Sequence, residues 1–375
     1  MIYFDNAASS YPKPPTVSKS VKAWLDKNGA NPGRSGHKPS LEAAQICFDT
    51  RVLISQMFGM DDMPENIIFV PNATIGLNTL ILGLFNEGDH VVTTDMEHNS
   101  VLRPLYQLSK KGVSFSVAKT DFYDDEATVN NILSCIKKNT AGIVVTQCSN
   151  VCGRILPISK ISQRRPSGIK LVVDGSQGAG TVPTDLAKDN IDYYCAPSHK
   201  GLLGPQGSGF IAINSSPPRP LVFGGTGSNS LELEQPDFLP DMLESGTLET
   251  PVICGFLEGL KALKAKGIPK VFEHKLELTN YTLKRLSELE NIILYNKQYQ
   301  NKFVGVVCFN VKGMSSDQCA KYLASHDICV RSGLHCAPLF HRKMGTIDTG
   351  MVRVSFSSYN NKREVDYMIK KLKEI

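Results

Sequence analysis

Between residues 66 and 174 short apolar runs alternate with amphipathic stretches, and this alternation restricts the chain to few architectures. Strand-like runs occupy 66–70, 90–94, 113–117, 142–146 and 170–174, and helical spacing occupies 74–84, 99–110 and about 127–137. Strands that are apolar throughout, separated by helices, pack as a mainly parallel sheet covered on both faces. Ligands on such sheets bind beyond the carboxyl ends of the strands. The loops that follow strands are therefore the places to search for chemistry.

Outside this region the pattern differs. A helix is expected over 17–28, carrying the single tryptophan, Trp24, and a loop over 31–37, where Arg34 and His37 could face an anionic ligand. Ser40 is placed to cap the next helix, which runs to about 58. Further strands are expected at 192–195 and 207–213. Proline- and glycine-rich or polar segments over 215–241 read as surface connections. The remainder, with helices at 251–266, 271–288, 316–325 and 361–373 and strands at 304–309, 328–331 and 352–356, reads as α+β. A chain of 375 residues exceeds the roughly 250–300 residues at which one hydrophobic core stops growing. The expected division is a large domain, 15–250, and a smaller α+β one formed by 1–14 and 251–375.

Composition excludes several classes. No apolar run approaches the ~20 residues that span a bilayer, so no membrane association is expected. The first residues lack the basic start and apolar segment of a secretory signal, which points to the cytoplasm. The net charge of +5 is spread along the chain without basic blocks interleaved with aromatics, so no nucleic-acid partner is expected. Ten cysteines without a CxxC pair read as reduced thiols, with Cys47 and Cys308 in core contexts. Cys329, His335, Cys336 and His341 stand too close in sequence to converge readily on one ion, and no metal is assigned.

Four post-strand loops carry reactive groups. Asn72-Ala73-Thr74 opens a helix, where backbone amides and the Thr74 hydroxyl can hold a phosphate or serve only as a cap. His98 follows the run at 90–94, and Asp174 closes an apolar strand with a carboxylate or an Asx turn. Lys200 sits between the strand at 192–195 and the glycine-rich turn Gly201-Leu202-Leu203-Gly204. Such a lysine is either solvated or, with its neutral amine favoured, a Schiff-base anchor for pyridoxal phosphate.

Taken together the motifs decide between these alternatives. Asp5-Asn6-Ala7-Ala8, Asn72-Ala73-Thr74, Glu97-His98-Asn99, Ser149-Asn150, Asp174-Gly175-Ser176-Gln177, Ser198-His199-Lys200, Gly246-Thr247 and the run Arg331 to Ala337 occur in this order over nearly the full length. In that order they resemble the cysteine desulfurases, a branch of the class V aminotransferases, with features of the selenocysteine lyase-like subgroup. The resemblance implies a fold type I, pyridoxal-phosphate-dependent α/β architecture, with a mainly parallel seven-stranded sheet in the large domain.

It further implies Lys200 as the covalent anchor, Asp174 on the pyridinium nitrogen and His98 stacked on the ring. Gln177 and Asn150 would contact the phenolic oxygen, and Ala73, Thr74, His199 and Ser198 would surround the phosphate. In this family a phosphate-binding serine stands three residues before the lysine; here Pro197 holds that place and Ser198 follows it. Thr247 would reach the phosphate of a partner subunit, which implies a homodimer. Arg353 would hold the substrate carboxylate, with Asn150, Arg331 and His335 nearby, and Arg331 and His335 are the candidate cations for Cys336. Cys336 would be the nucleophile that takes sulfur from L-cysteine as a persulfide, leaving L-alanine. The sulfur would pass to an acceptor protein of iron-sulfur cluster or thiocofactor assembly. Alternatives within the resemblance are selenocysteine lyase acting on L-selenocysteine, cysteine sulfinate desulfinase or another class V aminotransferase, and a non-enzymatic scaffold lies beyond them.

Overall fold

The structure, a computed structural model, describes residues 1–33, 35–60, 63–296 and 301–375. Arg34, one of the two loop residues singled out for an anionic ligand, lies outside the described residues.

The first strand, β1 (Ile2–Tyr3), belongs to the second layer of the molecule, and the next seven build the main sheet. These are β2 (Ile67–Val70), β3 (His90–Thr94), β4 (Ser114–Ala118), β5 (Thr140–Thr146), β6 (Lys170–Asp174), β7 (Tyr193–Pro197) and β8 (Gly209–Ile213). Their spatial order is β2-β8-β7-β6-β5-β3-β4. Neighbours from β7 to β4 run parallel, while β8 runs antiparallel to both β7 and β2. The reversal has a local cause. Residues 198–208 are too few for the crossover of a dozen or more residues that parallel neighbours need, so the chain turns back beside β7. That turn carries Lys200.

Alternate residues of each strand feed two cores. On one face Ile68, Val91, Val144, Val172, Tyr193 and Ile211 pack with Leu77, Leu80 and Ile81 of the helix Ala73–Leu84 and with Val101 and Leu105 of the helix Asn99–Ser109. On the other, Phe69, Val92, Ile143, Val173, Tyr194 and Phe210 pack with Ile54 and Phe58 and with Ile253, Phe256 and Leu260. Each such aliphatic or aromatic side chain contributes about 1.5–3 kcal/mol relative to exposure, so both faces must be covered.

The second layer is a three-stranded antiparallel sheet. It comprises β9 (Ile292–Leu294), β10 (Val306–Val311) and, after the short β11 (Ile328–Cys329), β12 (Val352–Ser355), in the order β12-β10-β9. β11 pairs in parallel with β1, and Asp5 bridges to Ser355, so the chain start is woven into this layer. From there it crosses to the Lys200 turn, where the Ser10 hydroxyl donates to the Lys200 carbonyl at 2.8 Å.

Several expectations need correction. Ser40 does not cap its helix: that helix spans Lys38–Met57, and His37 is the cap, its Nδ1 accepting the Ser40 N–H at 3.2 Å. Ser40 is buried in the first turn, its hydroxyl directed to the carbonyls of Asn31 and Gly33. His37 is thereby committed to the backbone. The helices Ile158–Arg164 and Pro338–Lys343 were not anticipated, because each has too few apolar positions to show a period. The helix Thr250–Lys266 adds Ile253, Phe256 and Leu260 to the buried cluster that the main sheet shares with Phe303, Phe340 and Met351.

Candidate active site

Four loops at the carboxyl edge of the main sheet converge with the Lys200 turn on one cleft. Its walls include Ala73 and Thr74 after β2, His98 after β3, Asn150 after β5, Asp174 at the end of β6 and Gln177 after it, and His199 and Lys200 after β7. Eight sequence-predicted residues are therefore brought together in one concave site.

Local structure explains each placement. Asn72 caps the helix Ala73–Leu84 by accepting the Ile75 N–H at 3.0 Å, which turns the first helical amides toward the cleft. His98 caps the helix Asn99–Ser109, its Nδ1 accepting the Ser100 N–H at 3.0 Å. The Ser100 hydroxyl lies 2.9 Å from His98 Nδ1 and 2.9 Å from the Thr74 hydroxyl, tying two walls together. Sequence reading missed Ser100, although a serine two residues into a helix beside a histidine cap is a usable signal. Asp174 is buried and accepts the Ser176 N–H at 2.9 Å, and Gln177 Nε2 donates to the Ala7 carbonyl at 2.9 Å.

Electrostatics single out Lys200. Burial lowers its amine pKa to about 8, Asp174 and Cys336 oppose that shift, and Arg353 and Arg331 add to it. His98 is also pushed down by burial, with Asp174 pulling the other way. His199 falls to about 4, through burial first and then Lys200 and Lys13, and its Nδ1 is buried without a partner. Both imidazoles are neutral at pH 7.

The second group of predicted residues approaches from the other layer. Arg353 on β12 is buried, its guanidinium bonded to Asp5 Oδ1 at 2.8 Å and to the Asn150 carbonyl at 3.0 Å, with Nε left unpartnered. Asp5 is a partner that sequence spacing could not reveal, 348 positions away. Arg331 is exposed and pairs through its backbone with Arg353. Cys336 is exposed, while the other cysteines are buried or half-buried, and all ten are free thiols. His335 and Cys336 both hold left-handed backbone, φ +50° and +56°, a conformation that costs a non-glycine residue on the order of 1 kcal/mol. Two bonds from the main sheet's loops fix the turn: Asn150 Nδ2 donates to the His335 carbonyl at 2.7 Å, and the Asn99 N–H donates to the Cys336 carbonyl at 2.8 Å.

Three expected residues are placed elsewhere. His335 cannot supply a cation to Cys336, because burial pushes its pKa to about 2 and its ring packs against His341 at 5.7 Å. Ser198 is fully buried with its hydroxyl directed to the carbonyls of Pro205 and Ser208 rather than the cleft. Thr247 is exposed and lines a separate surface groove with Phe48, Arg51 and Leu248. Among the described residues no group of three or more His, Cys, Asp or Glu could hold a metal ion.

The class-V aminotransferase family model matches residues 2–368. The chain belongs to the class-V aminotransferase family. Within that family it is 32% identical to a probable cysteine desulfurase of Pyrococcus abyssi over the whole chain and 94% of the relative. It is 27% identical to a cysteine desulfurase of Haloferax volcanii, covering 98% of this chain and 88% of that one. Among solved structures, the apo cysteine desulfurase of Thermococcus onnurineus superimposes with a TM-score of 0.93 at 30% identity, covering 100% of this chain and 94% of that one. The expected α/β fold type I architecture is therefore the one observed.

Class-V membership implies pyridoxal phosphate, and the residues present fit it. A capped helix start with the Thr74 hydroxyl suits the phosphate, and the orphaned His199 Nδ1 is available for a further polar contact. Asp174 suits a ring nitrogen that must stay protonated, and Lys200 supplies an amine with a lowered pKa.

Proposed function

We propose that this protein is a pyridoxal-phosphate-dependent cysteine desulfurase, converting L-cysteine to L-alanine and taking the sulfur onto Cys336 as a persulfide. The observation that carries the reading is the position of Cys336. It is an exposed thiol, held in strained backbone by two bonds from the cofactor-side loops, within electrostatic reach of Lys200.

When bound, the cofactor supplies an electron sink for the substrate's α-carbon. The chain's own residues do the rest. Ala73, Thr74 and His199 would hold the phosphate, Asp174 the ring nitrogen, and Gln177 and Asn150 the phenolic edge, with His98 beside the ring. Arg353, whose buried Nε lacks a partner, orients the substrate carboxylate, with Arg331 at the rim. Lys200, with its lowered pKa, takes and returns protons at the α-carbon. The Cys336 thiolate attacks the substrate sulfur: the new S–S bond forms as the C–S bond breaks, its electrons stay with carbon, and a proton completes alanine. Cysteine and enzyme thiol thus become alanine and enzyme persulfide with no further reactant.

Partners follow from exposure. The solvent-facing Cys336 suits hand-over to a sulfur-acceptor protein serving iron-sulfur cluster or thiocofactor assembly. Thr247 stands beside a stretch that exposes Val222, Phe223, Leu231 and Leu233, which supports a homodimer in which each protomer completes the other's phosphate site. No helix among the described residues is long and apolar enough to cross a membrane, and we place the protein in the cytoplasm.

Cys336→Ala tests the role of the thiol. Alanine formation from L-cysteine should fall by at least about a hundredfold, as expected when a covalent nucleophile is removed. The yellow colour of the cofactor-loaded protein should remain. Undiminished turnover would favour an aminotransferase or a lyase that does not use the thiol.

A further inference from the structure

The helix Pro338–Lys343 begins two residues after Cys336 and has no role in the chemistry above. Its last residue, Lys343, leaves its own layer and enters the loops of the main sheet. Lys343 Nζ lies 3.1 Å from Asp95 Oδ2, 3.3 Å from Asp95 Oδ1 and 2.8 Å from the Thr120 hydroxyl, and it also bonds the Thr120 carbonyl. Asp95 is fixed in turn, its Oδ1 accepting the Thr120 N–H at 3.2 Å and the Thr120 hydroxyl at 2.5 Å. The Phe122 ring lies beneath the ammonium at 5.1 Å. Exposed ion pairs contribute about 0–1 kcal/mol and fix little. This one is different, with only 22% of the lysine side chain and 10% of the aspartate exposed, and with every acceptor itself anchored.

The place of Asp95 gives the contact its meaning. It immediately follows β3 and stands three residues before His98, while Asn99, the first residue of the helix that His98 caps, donates to the Cys336 carbonyl. The chain around His98 therefore grips the cysteine segment twice, at Cys336 itself and at the end of the helix behind it. We propose that Lys343 is a positioning residue for Cys336, its bonds to Asp95 and Thr120 holding the thiol at the distance from the Lys200 cleft that sulfur transfer requires. This rests on the desulfurase reading.

Attack by Cys336 needs near-contact geometry, and a displacement of about 1 Å at a reacting group can cost about a hundredfold in rate. Lys343→Met keeps the aliphatic stem over Phe122 and removes the charge. In the cofactor-loaded protein, alanine formation from L-cysteine should drop by about ten- to a hundredfold in kcat, with KM within about twofold. L-cysteine sulfinate provides the internal control, because its sulfur departs as sulfur dioxide without thiol attack. Alanine formation from it should stay within about twofold of the parent. Iodoacetamide labelling of Cys336, read by peptide mass, should become at least about threefold faster as the segment loosens, and Lys343→Arg should restore both the turnover of L-cysteine and the labelling rate.

Equal losses on both substrates would make Lys343 a general structural residue and overturn the proposal, as would unchanged turnover and labelling. If the methionine variant does not fold, Asp95→Asn carries the same expectations. A parent protein that makes no alanine from L-cysteine would refute the desulfurase reading instead, and the labelling rate alone would then judge the clamp, unchanged labelling overturning it.

Discussion

Lys200 differs from the lysines on the protein's surface in how readily its amine gives up a proton. Burial is the first cause, and the nearby Arg353 and Arg331 reinforce it against the pull of Asp174. An exposed lysine titrates near 10.4, whereas Lys200 titrates at about 8. Above that pH the amine is neutral and nucleophilic; below it the ammonium is inert toward an aldehyde. The rate at which cofactor-free protein takes up pyridoxal phosphate, followed by absorbance, should rise with pH, reach half its maximum near pH 8 and level off. A midpoint above pH 10 would contradict the buried setting. The same shift fixes a sign for stability. The folded state disfavours the charged amine, so Lys200 costs no stability above about pH 10.5, stability falls as pH drops from there through about 8, and the loss is constant below. His335 shows the opposite lesson: proximity to Cys336 in sequence suggested a cation, and burial makes it a neutral packing group. No one-dimensional pattern reveals which way such a ring turns.

At the scale of elements, the site depends on helix starts. Asn72 and His98 each cap a helix that opens at the cleft, and the Thr74–Ser100–His98 chain of hydrogen bonds joins the two caps. Asn72→Ala should lower unfolding free energy by about 1 kcal/mol, read as an earlier midpoint in urea, with no change in midpoint contradicting the cap. These starts were legible because a polar cap after an apolar strand is a local signal. The helix Pro338–Lys343 was not legible, having less than two turns and a proline at its head. Its importance lies in a lysine whose partners are 223 and 248 positions away. Ser40 misled for a related reason: it has the chemistry of a cap, but His37 reached the backbone first and Ser40 was drawn inward.

The whole molecule joins two layers through shared side chains rather than through a linker alone. Phe303, Phe340 and Met351 of the later sequence lie in the same buried cluster as Val92 and Tyr194 of the main sheet, and the segment from Asp5 to Lys13 runs from Arg353 to the Lys200 turn. The main sheet could be read from alternation, since each strand declares itself by its own composition. The assembly of the site could not, because Arg353 meets Asp5 and Asn150 meets the Cys336 turn only after the layers pack. That assembly ties the turn carrying the exposed Cys336 thiol to Asn150, which lines the Lys200 cleft, and to Asn99 beside His98, and the central claim is that lysine and thiol act on the same substrate molecule. Incubation of the cofactor-loaded protein with excess L-cysteine, without an acceptor, measures this most directly, by quantifying alanine and mapping added sulfur on tryptic peptides. The account predicts a first turnover that yields one alanine per Cys336 persulfide, with the sulfur on the Cys336 peptide. Pyruvate without protein-bound sulfur, or alanine with Cys336 unmodified, would contradict it.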